Sequence, residues 1–143
     1  MEIEITLLPI DDQLSGFELG DFSLSHDGVT ITSAGRTPSQ SMMVFIFLSD
    51  LLEILVAVTK SKPKSAHKII AADSSFGLIL TRSGQNLGVE DKNAKIVLPL
   101  QDFLKAIYSD IHKWLEPLKI RIDARDPALA YLISALNNLK KIL

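Results

Sequence analysis

Asp73-Ser74-Ser75 is the short run best suited to chemistry, because one carboxylate and two hydroxyls fall together between two apolar segments. A serine nucleophile needs a base within hydrogen-bond reach and a third group to orient that base. No base lies beside these residues in the chain, so the fold would have to bring in a distant one, with His112 as the candidate. The same three residues also suit a turn, since Asp and Ser side chains accept hydrogen bonds from nearby backbone amides. The three histidines, His26, His67 and His112, lack the spacing of a metal pair on one helix face or hairpin, so no metal site is expected. His112 stands four residues before Glu116, the spacing of a surface pair on a helix. There is no nucleophile elbow, phosphate-binding glycine loop or dinucleotide fingerprint, and no cofactor is expected.

Charge is distributed very unevenly. Residues 1–55 hold nine acids and one base, Arg36, whereas residues 56–143 hold eight acids and fourteen Lys and Arg, giving net charges of −8 and +6 within a whole-chain value of −2. Asp11, Asp12, Glu18, Asp21 and Asp27, with Glu2 and Glu4 if the first strands are adjacent, form the acidic group. Such a group is either a solvated sheet face or a docking surface for a cationic protein. Lys60, Lys62, Lys64, His67 and Lys68 crowd one connector. Aromatic residues do not interleave with them, so a solvated loop is favoured over nucleic-acid binding.

At 143 residues and 47% hydrophobic, the chain has the size of one domain with a substantial core. It has no Cys, hence no disulfide and no thiolate chemistry, and its acidic, alternating start does not resemble a signal peptide, so a cytoplasmic location is expected. Asp50 and Glu53 interrupt the most apolar stretch, Met42 to Val58, which therefore reads as core and not as a membrane span.

The elements that would position these residues follow from periodicity. Ile3, Ile5 and Leu7 alternate with Glu2, Glu4 and Thr6 as a strand ending near Pro9. Phe17 and Leu19 start an alternation that resumes out of phase at Phe22 and Leu24, which suggests a bulge at Gly20-Asp21. Asp27-Gly28 predicts a two-residue hairpin turn, with Leu24 opposite Ile31 and with Phe22, Leu24 and Ile31 facing the core. Thr37-Pro38-Ser39-Gln40 resembles a capping box for one long helix, Pro38 to Lys60. The β-branched and aromatic run Met42 to Leu48 instead favours a central strand, followed by a helix capped at Ser49 or Asp50 with Asp50, Glu53, Ala57 and Lys60 as its wet stripe.

A polar connector, residues 61–68, then leads to four short strands, Lys68 to Ala72, Phe76 to Arg82, Leu87 to Asp91 and Lys95 to Leu98, whose turn-forming separators predict an antiparallel meander. Leu100, Phe103, Leu104, Ile107, Ile111 and Leu115 follow helical spacing, with Pro117 as the stop. Asp126-Pro127 begins a last helix burying Leu129, Leu132 and Leu136. The whole is an α+β fold with a predominantly antiparallel sheet of about 6–8 strands, one helix after a central strand and two C-terminal helices.

Two stretches, Phe47-Leu48-Ser49-Asp50-Leu51-Leu52 and Ala72-Asp73-Ser74-Ser75-Phe76, resemble segments of small bacterial α+β proteins of the polymorphic-toxin immunity type. The resemblance implies a noncatalytic protein that binds and neutralises a partner. The first functional expectation is accordingly a protein-interaction module that receives a basic partner through Asp11, Asp12, Glu18 and Asp21. The second is a small-molecule binder or hydrolase, with a pocket between sheet and C-terminal helices near Asp73, Ser74, Ser75 and His112. The third is a homo-oligomeric structural domain, such as a homodimer, suggested by the high apolar fraction.

Overall fold

The alternation at the amino terminus forms strand β1, Glu2–Leu7, in a computed structural model that describes residues 1–8 and 13–143. It pairs antiparallel with β2, Leu19–His26, placing Ile3 opposite Leu24 and Ile5 opposite Phe22. β3, Val29–Thr32, returns across Asp27 and Gly28, both at positive φ, as the expected turn requires. Leu24 opposes Ile31, and Phe22, Leu24 and Ile31 are fully buried. The short β4, Met42–Met43, pairs with the start of β2 and completes a four-stranded sheet.

The expected bulge at Gly20-Asp21 is absent. β2 pairs without interruption, and Gly20, Phe22 and Leu24 form its inward phase. Phe17 and Leu19 are 48% and 44% exposed, so they lie outside the core and need no change of phase.

Helix α1, Val44–Lys60, replaces the expected central strand over Met42 to Leu48, of which only Met42 and Met43 are extended. The proposed box at Thr37 does not start it either; the helix begins six residues beyond Pro38. The reason is position. α1 packs against both sheets and the last helix, so its first turns bury Val44, Phe45, Phe47 and Leu48 on several sides, and such a helix shows little polar periodicity. Tertiary burial outweighs the small helical disadvantage of β-branched and aromatic residues. Ser49, expected as a cap, is wholly buried within the helix and donates to the Phe45 carbonyl at 2.7 Å. Asp50, Glu53, Ala57 and Lys60 do form the predicted outward stripe, with Asp50 half-buried.

The second sheet is the expected meander: β5, Lys64–Ile70; β6, Gly77–Ser83; β7, Asn86–Glu90; β8, Lys95–Pro99, in that spatial order. Most of the supposed connector is therefore strand. β5 begins at Lys64 and forms an edge of the sheet, with its Lys residues turned outward.

Helix α2, Leu100–Lys119, lays the predicted stripe on the core, but Pro117 does not stop it. The proline sits in the last turn, where loss of one N–H donor removes only a terminal hydrogen bond. Helix α3, Pro127–Lys140, starts as expected: Asp126 accepts from Ala128 N at 2.9 Å and Leu129 N at 3.1 Å. Its other oxygen accepts from Gly16 N at 2.9 Å, tying the loop before β2 to this helix.

The fold is thus α+β, with eight strands in two antiparallel sheets among the described residues, one helix after β4 and two C-terminal helices. One hydrophobic cluster draws on both sheets and all three helices. Phe47 of α1 joins them, its ring 5.6 Å from that of Phe22 in the first sheet and 5.5 Å from that of Phe76 at the entry to the second. Among the described residues, no helix is long and apolar enough to cross a membrane.

Candidate functional site

The Asp73-Ser74-Ser75 hydroxyls and carboxylate face a neighbouring segment of chain. Met43 N donates to both Asp73 oxygens at 3.1 Å, Ser74 Oγ donates to the Gln40 carbonyl at 3.0 Å, and Gln40 Nε2 donates to Ser75 Oγ at 3.2 Å. Phe76 N also donates to Ser74 Oγ at 3.0 Å, the turn geometry expected for serine. Met43 is the N-cap residue just before α1, and it supplies no capping side chain of its own; the first turn of α1 holds no acid. Asp73 supplies both the missing acceptor and the negative charge that the positive end of the helix dipole favours.

The other end of α1 is held from the same sheet. Arg82 Nη1 lies 3.1, 2.9 and 3.2 Å from the carbonyl oxygens of Val58, Thr59 and Ser61, and Nε donates to the Gly84 carbonyl at 3.0 Å. A guanidinium at the last carbonyls of a helix satisfies orphan acceptors and opposes the negative end of the dipole. Arg82 was not legible in the sequence because its partners at the end of α1 lie more than twenty residues away.

His112 belongs to a different place. It projects from the exposed side of α2, stacks on Tyr108 at 5.8 Å and approaches Glu116 at 3.4 Å, as its spacing predicted. Lys119 donates to Glu116 at 2.9 Å, and this hydrogen bond and charge, with His112 as the smaller contributor, hold the carboxyl below its ordinary range. His67 points inward from β5, and its buried Nε2 has no hydrogen-bond partner among the described residues. Among the described residues there is no cluster of three or more His, Asp or Glu side chains arranged to hold a metal ion.

The acidic residues divide by role. Asp11 and Asp12 lie outside the described residues. Glu18 accepts from Ser15 N at 3.2 Å, and half-buried Asp21 accepts from Ser33 Oγ at 2.8 Å and Ser41 Oγ at 2.9 Å. Glu2 and Glu4 are exposed on the outward side of β1, opposite Ser25 and Ser23, whose hydroxyls pair onward with Thr30 and Thr32. The result is a polar outer face with acids along the edge strand. Arg121 aside, no ion pair among the described residues joins an acid of residues 1–55 to a Lys or Arg of residues 56–143. A pair that does cross that division runs the other way, from Arg36 Nη2 to Asp91 at 3.6 Å.

Asp50 and Glu53 receive the Tyr131 hydroxyl of α3, at 2.7 and 2.9 Å. Burial first, then these hydrogen bonds and the two negative charges, push the phenol well above its ordinary range.

A cleft of about 460 Å³ opens on the outer side of the second sheet. Ser75 reaches it, but Asp73, Ser74 and His112 do not line it, and it lies on β5, β6 and the adjoining turns, with no residue of α2 or α3 in its walls. The expected convergence of Asp73, Ser74, Ser75 and His112 in a sheet-helix pocket is therefore replaced by two separate structural arrangements and an open cleft elsewhere. Fold and geometry together define an α+β protein with two antiparallel sheets. Comparison with family models, curated proteins and solved structures finds no match to this chain.

Proposed function

We propose that the protein is a noncatalytic binding module whose acidic first-sheet face receives a basic partner protein. The observation that carries this reading is the placement of Glu2 and Glu4: exposed, on an edge strand, beside two rows of hydroxyls and without an ion pair among the described residues. Unneutralised carboxylates keep their field outside the protein, where it accelerates encounter with a cationic surface and disfavours an anionic one. In the sequence Asp11, Asp12, Glu18 and Asp21 belong to the same acidic half, and Asp21 and Glu18 also serve the local fold. The residues best suited to chemistry, Asp73 and Ser74, have structural partners, which supports a binding role over a hydrolytic one. A toxin bound and neutralised is the particular partner that an immunity-type resemblance implies.

The test is affinity capture with the intact chain, followed by association kinetics for each captured protein at several salt concentrations. Wild type is expected to retain a basic protein whose association slows as salt rises, and Glu2→Lys/Glu4→Lys to slow it several-fold at low salt. Equal rates for wild type and the folded double variant would exclude this face.

A further inference from the structure

We infer that the cleft on the outer side of the second sheet is a binding site for a small amphiphilic monoanion, a carboxylate head on an apolar body. Its volume of about 460 Å³ falls within the range of small-molecule sites. The floor is apolar where a sheet exterior is normally polar: Ile70 and Ile79 are 54% and 40% exposed. They are diagonal neighbours on the outward side of β5 and β6, because Ile70 pairs with Gly77 and Lys68 with Ile79. Gly77 gives the floor its depth. A Cβ there would stand 2.9 Å from the Ile69 carbonyl oxygen and 3.5 Å from Ile70 Cγ1.

The wall is fixed in advance. The loop between β3 and β4 is pinned at one point by the Gln40 contacts with Ser74 and Ser75, and at another by Arg36 facing Asp91. Pinning lowers the ordering cost that a ligand would otherwise meet.

The charge pattern selects the head group. Asp91 Oδ1 accepts from Asn93 N at 2.8 Å and Ala94 N at 2.9 Å, and its Oδ2 faces Arg36 Nη2 at 3.6 Å, beyond hydrogen-bond range. Arg36 uses Nε on the Thr32 carbonyl at 3.3 Å, which leaves its terminal nitrogens as donors of the geometry a carboxylate takes. With Arg36 and Asp91 balancing, Lys68 and Lys92 stand against Glu90, an excess of one positive charge. That excess suits one negative charge beside an apolar floor.

Octanoate, octanol and octylammonium share one apolar body and differ in head group, so they separate the two contributions. Amide and methyl NMR shifts of the full chain should move saturably with octanoate at Ile70, Gly77 and Ile79, while octanol and octylammonium bind at least about 10-fold more weakly. Arg36→Gln should weaken octanoate about 10-fold and leave octanol unchanged, and Ile79→Asn, at an exposed position, should weaken both. Thermal unfolding of each variant verifies that it is folded. Absence of saturable octanoate shifts, equal affinity for the three probes, or shifts centred away from the second sheet would overturn the assignment.

Discussion

The two sheets bury similar inner faces against one core, yet they use their polar side chains differently. In the first sheet these side chains bond to one another, Ser23 with Thr32, Ser25 with Thr30 and Asp21 with Ser33, so its outer face keeps free carboxylates. In the second sheet Asp73, from the turn between β5 and β6, and Arg82, from β6, reach out to hold the two ends of α1. A turn residue and a strand residue of one sheet thus act as the caps of a helix that lacks them. A polar residue suited to catalysis by type alone is, in this position, part of the frame.

The substitution with the largest expected effect removes what the two sheets share. Phe47→Ala deletes the ring that touches both Phe22 and Phe76, at a site 1% exposed, and should cost about 3–5 kcal/mol in chemical denaturation. A loss under 1 kcal/mol would mean that the sheets are held together elsewhere. Next comes Arg82→Ala, which removes one donor from three carbonyl groups at the end of α1, of which Val58 keeps Ser61 as a partner, and should cost about 2–3 kcal/mol. Hydrogen exchange should localise that loss to the last turns of α1, whereas uniform loss across the chain would argue against a capping role.

Asp73→Ala should be milder, about 1–2 kcal/mol, the usual range for loss of an N-terminal cap. On the first sheet the exposed Ser25→Ala removes one bond to Thr30 and should change stability by less than about 0.5 kcal/mol. Equal effects in the two sheets would erase the difference between frame and free face. Activity assays are the wrong readout here, because stability is what the capping geometry predicts.

What was legible in the sequence was local. The Asp27-Gly28 turn, the four-strand meander and the Asp126 cap depend on neighbours within a few residues; the turn was readable with its register and the helix with its cap, whereas the meander was readable in strand order but not in the start of β5. The run Met42 to Leu48 was not, since an apolar stretch has no period whether it lies in a central strand or in a helix packed on several sides. For the same reason Phe17 and Leu19 suggested a bulge: exposed apolar residues imitate a core phase. The candidate site failed at longer range. Asp73 and Met43 are thirty residues apart, and no spacing rule places one beside the other. Arg36 carried a signal that could have been used, as the only base in the first 55 residues; its partner is Asp91 across the two sheets.

The remaining effect concerns the side of α1 that neither sheet covers. Tyr131 of α3 donates to both Asp50 and Glu53, so Tyr131→Phe should cost about 1 kcal/mol near neutral pH, softened by water reaching the exposed Glu53. The pH dependence gives a sharper reading. Folding raises the affinity of this phenol for its proton, through burial and the two carboxylates, so at alkaline pH the unfolded chain releases the proton first. Fewer protons on the unfolded state make the slope of stability against pH negative. The contribution is therefore complete below the ordinary tyrosine range near pH 10 and falls as pH climbs through and above it. Denaturation curves for wild type and Tyr131→Phe should differ least at the alkaline end and most below it. Parallel pH profiles would show that the hydroxyl contributes through packing alone, and that α1 owes its position to the second sheet's two caps and the shared core.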